Sequence, residues 1–409
     1  MNIAILGHGV VGSGVAEILI NHNDLIAEKI KDTVDVTRIL DLRDFSSLPY
    51  GDKFTTDFED IINDDSIKVV AEVMGGVNPA YDFVKRCLLA GKSVVTSNKE
   101  LVAVKGAELI KIAKANNVNF LFEASVGGGI PVLRPITQCL SANQITEFWG
   151  ILNGTTNFIL NKMIVDNMSF EDALKLSQNN GYAEKDPTAD IEGHDACRKV
   201  CILATLAFGK HVYPKQVETS GISNITLEDV YAADNLGYVI KLIGHAKLLD
   251  DGKISAEVRP TVVSRANMLS HVDGVFNAIL INGNQTGEVM FYGKGAGKEA
   301  TASAVVADII DCAKHINARK YIDWADGDED YVVKNTNAEE KMFVRIIGND
   351  FTEILNTFDN QFADLTENCT KNEFSKELCF ITKPISISVL KEKLANFKDC
   401  TIKMLNTIS

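Results

Sequence analysis

The chain has 409 residues, 46% hydrophobic and 23% charged, with 41 Lys+Arg against 55 Asp+Glu for a formal charge of −14. At roughly 150 residues per domain this length implies two or three cores. The acidic balance argues against a nucleic-acid-binding footprint, and no apolar run reaches the ~18 residues of a membrane span. The opening Met1-Asn2-Ile3-Ala4-Ile5-Leu6 reads as a strand with no charged leader, and the eight cysteines form no C-x-x-C pair. The expectation is a cytoplasmic protein with reduced thiols and no membrane or nucleic-acid partner.

In chain order, short apolar strands are predicted at Asn2–Leu6, Thr37–Leu42, Val69–Met74, Ser93–Thr96 and Asn119–Phe122. Helical patterns at Val10–Ile20, Ala80–Leu89 and Glu100–Ala115 lie between them, and Asn21–Asp35 reads as a long loop. Apolar strands alternating with helices specify a Rossmann-like, doubly wound parallel sheet covered on both faces. From about residue 124 the pattern changes to an α+β one. Helices are predicted near Val132–Leu140, Asn157–Ile164, Phe170–Gln178 and Ile191–Phe208, and strands at Phe148–Leu152, Ala256–Val263, Val275–Ile281 and Gly287–Tyr292. The helix Ala300–Ile316 is expected to close this unit, packing back on the first domain. Asp323–Asp330 carries five acidic residues in eight and reads as a solvated linker. A βαββαβ pattern follows it. The division expected is 1–123 (completed by 300–320), 124–320, an acidic linker 323–335, and 336–409.

Gly7-His8-Gly9-Val10-Val11-Gly12 lies between the first strand and the first helix. There the glycines permit a tight turn and close backbone approach, and the N–H groups of Val10 and Val11 at the helix start face a pyrophosphate. At the end of the second strand, Asp41 suits a ribose 2′-hydroxyl (NAD) and Arg43 a 2′-phosphate (NADP), so either cofactor fits. Thr96-Ser97-Asn98-Lys99 follows a strand and therefore stands at the carboxyl edge where doubly wound sheets bind ligands. Lys105 lies six residues further on.

The polar segment Gly181–Cys201 holds five carboxylates and three cations and runs from a Pro187 loop into a helix. On that helix Asp195 and Lys199 are i,i+4 neighbours on one face. Oxidising an alcohol with a nicotinamide requires removal of the hydroxyl proton. No C-x-x-C or His-rich cluster offers a catalytic zinc, and a Lys, or a Lys–Asp pair, is available as the acid/base.

With these residues the sequence resembles the homoserine dehydrogenases. The carriers are Gly7–Gly12, Val95-Thr96-Ser97-Asn98-Lys99, Glu123-Ala124-Ser125-Val126-Gly127-Gly128-Gly129-Ile130-Pro131, Asn153-Gly154-Thr155-Thr156-Asn157 and Gly181–Lys199, covering about residues 1–320. The resemblance implies interconversion of L-homoserine and L-aspartate 4-semialdehyde with NAD(P), in threonine and methionine synthesis, by a homodimer or homotetramer. It implies Lys199 as proton donor and acceptor and Asp195 as its orienting partner. Glu184, Gly181 and Asp190 would hold the substrate ammonium, with Thr155 at the same site. Thr96, Ser97, Lys99 and Lys105 would contact the cofactor or position substrate. Glu123, with the carbonyls of Val126, Gly128 and Ile130, would enclose a monovalent cation, sodium. The C-terminal segment resembles an ACT-type regulatory module but lacks the usual Asp-x-x-Gly turn, reading Ile347-Gly348-Asn349-Asp350-Phe351 instead. Two rival readings are another amino-acid or semialdehyde dehydrogenase of the same architecture, and an NAD(P)-sensing protein without catalysis.

Overall fold

A computed structural model of the chain describes residues 1–316, 318, 322–334, 338–348, 351–358, 362–363, 369–372 and 376–408. Two compact units emerge: 1–148 with 198–217 and 281–331, and 149–197 with 218–280 and 332–409.

In the first unit, six parallel strands are ordered β3-β2-β1-β4-β5-β6. They are β1 (Asn2–Leu6), β2 (Asp35–Leu40), β3 (Phe54–Thr55), β4 (Ile67–Glu72), β5 (Ser93–Thr96) and β6 (Phe120–Leu121). Parallel pairing with helices on the faces explains the unbroken apolar runs, since Ile3, Ala4, Ile5 and Leu6 are all fully buried. The flanking helices include α1 (Val10–Asn21), α2 (Asn23–Ile30), α3 (Ala80–Leu89) and α4 (Lys99–Ala115). Leu19 of α1 is buried against the sheet together with Val15 and Ala16, and its burial alone is worth about 2 kcal/mol. The helix Lys298–Lys314 joins the same core through Ala302, Val305, Val306 and Ile309. It crosses α1 so closely that a Cβ on Gly14 would lie 2.9 Å from the Ala302 Cβ.

One stretch departs from the sequence reading. The span 21–35 is not a loop, because α2 occupies most of it. Ile26 turns into the core, Asp24 and Lys29 sit at the ends the helix dipole favours, and Lys31 ends the helix in a left-handed conformation. The extra helix accounts for the long separation between the glycine loop and Asp41. Likewise Val132–Leu140 carries a π-helical turn at Pro135–Cys139. Asp323–Tyr331 is held by specific contacts within its unit: Asp323 pairs with Lys114, Asp326 accepts from the Tyr213 hydroxyl at 2.7 Å, and Tyr331 is buried.

In the second unit, β7 (Tyr238–Leu248) and β8 (Ile254–Ser264) form a long antiparallel pair. Its edge is extended by β9 (Met342–Ile347), β10 (Cys369–Asn372), β11 (Glu377–Ile381) and β12 (Thr401–Ile408) in the order β8-β12-β9-β11-β10. The last four are mutually antiparallel and, with the helices Thr352–Thr357 and Ile387–Leu394, display the βαββαβ order. Asn349 and Asp350, in the stretch that departs from the regulatory pattern, lie outside the described residues. The βαββαβ unit is continuous with the rest of its body, since β12 pairs in parallel with β8, Thr261 opposite Asn406. A buried charge network reinforces that join: fully buried Asp229 accepts from Arg345 at 2.9 Å and also from Lys403, while Arg345 bonds Glu377.

Candidate active site

At the carboxyl ends of the parallel strands, Gly9 stands at the N-cap of α1 with no side-chain cap. The N–H groups of Val10 and Val11 find no acceptor among the described residues, and exposed Val10 leaves this helix end open. A Cβ on Gly9 would meet nothing within 4 Å, whereas one on Gly12 would fall 2.0 Å from the Gly7 carbonyl oxygen. The loop is thus folded tightly on its inner side and open on its outer side, the shape a pyrophosphate needs. These residues fit a dinucleotide.

The second strand delivers Asp41 to the same loop. Its carboxylate accepts from the His8 N–H at 2.7 Å, and Arg43 grips it through Nε and Nη2 at 3.0 and 2.9 Å while also donating to the His8 carbonyl. The Arg43 hydrogen bonds hold the Asp41 carboxyl far below the usual carboxylate range. Both candidate ribose readers are therefore bonded to one another and to the glycine loop. His8 itself packs edge-on against Phe45 and Phe54, with Nε2 3.2 Å from the Tyr50 hydroxyl. Burial lowers its pKa, so it serves as a neutral packing residue.

Thr96 ends β5 fully buried, Ser97 follows with its N–H on the Glu72 carbonyl, and Lys99 opens α4 behind its Asn98 cap. The Lys105 ammonium lies over the Tyr81 ring, 4.8 Å from its centroid. Beyond β6, the Gly-rich turn takes left-handed conformations at Gly127 and Gly128. The carbonyls of Val126, Gly128 and Ile130 accept no hydrogen bond from the described residues, which fits a carbonyl-bound cation. The Glu123 carboxylate accepts from the N–H groups of Val132, Leu133 and Arg134 at 2.7, 3.0 and 2.7 Å, and burial raises its pKa. Its own N–H donates to buried Asp308, which also pairs with Arg134. Among the described residues no cluster of three or more His, Cys, Asp or Glu could hold a metal.

In the second unit the polar residues converge on Asn153. Its Oδ1 caps the helix Gly154–Val165 by accepting the Thr156 N–H at 2.9 Å. Its Nδ2 donates to Asp190 at 2.7 Å and to Asp195 at 2.9 Å. One amide thus gathers two carboxylates, Asp190 in the short helix Thr188–Ile191 and Asp195 in the first turn of the next helix. Thr155 donates to the Tyr182 carbonyl at 2.7 Å, tying the helix start to the Gly181 turn, where φ is +74°. Glu184 is exposed. The helix His194–Phe208 begins after Gly193, whose φ of +81° separates it from Thr188–Ile191; a single helix had been expected from Ile191. Asp195 and Lys199 lie one turn apart on it, both buried.

The resemblance places Asn153 only within the segment Asn153–Asn157 that lines the substrate pocket at a helix start, and sequence reasoning assigned no role to Glu72 or Asp308. The signals were present: an Asn before a helix-starting Gly-Thr-Thr, a lone acid ending an apolar strand, and an acid among apolar helix positions. Asn153→Ala should lose the cap, about 1 kcal/mol, and leave two carboxylates short of a donor, about 1–3 kcal/mol more. Thermal melts should show the loss, and kcat should fall with it.

The family described as "Homoserine dehydrogenase" matches residues 131–310, and "Homoserine dehydrogenase, NAD binding domain" matches residues 7–123. A homoserine dehydrogenase of Bacillus subtilis is 43% identical over 321 residues, covering 77% of this chain and 73% of that one. The chain belongs to the homoserine dehydrogenase family. The crystal structure of a homoserine dehydrogenase from Thiobacillus denitrificans superposes with a TM-score of 0.91 at 32% identity, covering 100% of this chain and 98% of that one. A hyperthermophilic archaeal homoserine dehydrogenase in complex with NADPH gives 0.65 at 29% identity over 76% of this chain and 96% of that one. This homoserine dehydrogenase is accordingly an NAD(P)-dependent oxidoreductase acting on a CH–OH group, with homoserine and aspartate semialdehyde as its substrate pair. No helix among the described residues is long and apolar enough to cross a membrane.

Proposed function

We propose that this homoserine dehydrogenase interconverts L-homoserine and L-aspartate 4-semialdehyde with Lys199 as the proton-transfer group and Asp195 as its orienting carboxylate. The observation that carries this reading is the buried turn of helix bearing both residues, with Asp195 bonded to the Asn153 amide. Bound NAD(P) supplies the hydride acceptor or donor. In oxidation Lys199 takes the hydroxyl proton; in reduction it returns a proton to the aldehyde oxygen. Asn153, by holding Asp195 and Asp190, fixes the orientation of the Asp195 carboxylate and leaves Asp190, with Glu184 and the Gly181 carbonyl, to receive the substrate ammonium. The Thr155 hydroxyl keeps the Gly181 turn against the helix start.

On the cofactor side, Gly7, Gly9, Val10, Val11 and Gly12 cradle the pyrophosphate. Asp41 and Arg43 meet the adenosine ribose, and Thr96, Ser97, Lys99 and Lys105 serve the nicotinamide end or the substrate. The carbonyls of Val126, Gly128 and Ile130, with Glu123 supplying negative charge, hold sodium. We infer a cytoplasmic homo-oligomer with domains 1–123, completed by 300–320, and 124–320, an acidic linker 323–335, and an ACT-like module over 336–409.

The decisive assay follows NAD(P)H formation from L-homoserine. Turnover with NAD or NADP is expected, and its absence with both would sink the substrate reading. Glu184→Ala should raise KM for homoserine about tenfold, with kcat changed less than about threefold, as for a uniform binding contact. An unchanged KM would remove Glu184 from the substrate site.

A further inference from the structure

Glu72 ends β4, whose preceding residues Val69, Val70 and Ala71 are fully buried, and it is fully buried itself. Burying a carboxylate costs several kcal/mol unless donors surround it, so its partners matter. One oxygen accepts the Met74 N–H at 2.8 Å and the other the Thr96 hydroxyl at 2.6 Å; the Gly75 N–H is a further donor. Thr96 Oγ1 in turn accepts the Asn98 N–H at 2.9 Å. The Asn98 amide then closes a ring, with Nδ2 donating to the Gly76 carbonyl at 2.6 Å and Oδ1 accepting the Leu101 N–H at 3.0 Å at the start of α4.

This ring joins the two loops that leave β4 and β5. The first loop turns on Gly75 and Gly76, at φ of +84° and +71°, and a Cβ at Gly75 would meet nothing within 4 Å. It also backs the dinucleotide loop, because a Cβ on Gly7 would lie 3.0 Å from Met74 Cγ and 3.2 Å from Met74 Cα. The second loop sets the start of α4 and hence Lys99. Both stand at the carboxyl edge of the sheet, where a dinucleotide lies across strand ends.

We propose that Glu72 is a positioning residue for hydride transfer, holding the Met74–Gly76 loop and the Thr96–Lys99 corner as one wall for the nicotinamide-ribose end of the cofactor. It touches neither cofactor nor substrate; it acts through the backbone of Met74 and Gly75 and through Thr96. The proposal rests on assigning the glycine loop to the cofactor. A parent chain that binds neither NADH nor NADPH would refute that assignment, whereas normal binding by both parent and variant refutes the Glu72 role alone.

The test combines NADPH titration by fluorescence, steady-state kinetics and melting of the cofactor-free protein. Glu72→Ala should raise the NADPH Kd about tenfold and lower kcat by ten- to a hundredfold, the range expected when a reacting group shifts by about 1 Å. KM for homoserine should stay within about twofold, since Glu72 does not contribute to ammonium binding. Glu72→Gln keeps an acceptor for Met74 and Gly75 and can donate to Thr96 Oγ1, so it should restore Kd and kcat to within about threefold of the parent. A lowered melting temperature with parental Kd and kcat would make Glu72 a mere strut and overturn the proposal. A Gln variant as impaired as the Ala variant would overturn it too, showing that charge and not the hydrogen-bonded ring matters. Should Glu72→Ala fail to fold, Asn98→Ala opens the same ring at the Gly76 carbonyl and should reproduce the rise in Kd; parental values there would be equally fatal.

Discussion

Lys199→Ala is expected to lower kcat for homoserine oxidation by about 10²-fold or more, the scale of a lost general acid–base group. Lys199 is buried on the helix His194–Phe208, one turn beyond Asp195. Without the Lys199 amine to accept it, the hydroxyl proton must leave to water, and the barrier to hydride departure rises. Cofactor affinity, measured by NADPH fluorescence, should hold within about threefold, since the loss falls on the transition state and not on the dinucleotide. Lys199→Arg retains the positive charge but cannot give up a proton near neutral pH, so it should be impaired almost as much. Parental turnover in either variant would remove Lys199 from proton transfer.

Gly12→Ala is expected to abolish useful cofactor binding, raising Kd for NADPH by about 10²-fold or more, as a shift of about 1 Å in a positioned group does. The added carbon would sit 2.0 Å from the Gly7 carbonyl oxygen and 3.0 Å from its carbon. Neither atom is the tip of a flexible side chain, so the loop backbone must move. The fold should lose about 1–3 kcal/mol as well, the usual cost of overpacking. Gly9→Ala provides the contrast, because no protein atom lies within 4 Å of its added carbon. Its melting temperature should stay near that of the parent while the NADPH Kd rises, because the new methyl group points where the pyrophosphate approaches. A Gly9→Ala protein with parental affinity would remove the outer side of the loop from the cofactor site.

The cofactor half of the molecule was largely legible in the sequence for a local reason. A parallel strand buried on both faces needs an unbroken apolar run, so β1 and β5 are read to the residue and α3 with them. The glycine loop is legible because close backbone approach admits no other residue at Gly12. Amphipathic α2 was missed because only Ile26 of its eight residues is buried. The long strand β7 was missed too, although it is the partner of β8 along eleven residue pairs. Residues 238–248 include Lys241 and His245, which break the pattern of a buried strand in the sequence. In the structure Lys241 is fully buried, donating to the Val272 carbonyl at 2.6 Å and to Asn157.

The sequence by itself determined the fold class, the dinucleotide loop and the candidate proton-transfer pair. Each of these is encoded within one contiguous segment: periodicity for strands and helices, glycine spacing for the loop, i,i+4 spacing for Asp195 and Lys199. Only the tertiary structure decided that Asn153 holds Asp190 and Asp195 together, that Arg43 grips Asp41 beneath the His8 carbonyl, and that Glu72 joins two strand ends. The partners that packing brings together lie far apart along the chain, 42 residues for Asn153 and Asp195, 35 for Arg43 and His8, and 24 for Glu72 and Thr96. A buried polar side chain must find a donor or acceptor, but its sequence does not say which one. The partner is chosen when the elements pack, because packing alone fixes which polar groups are shut away from water side by side.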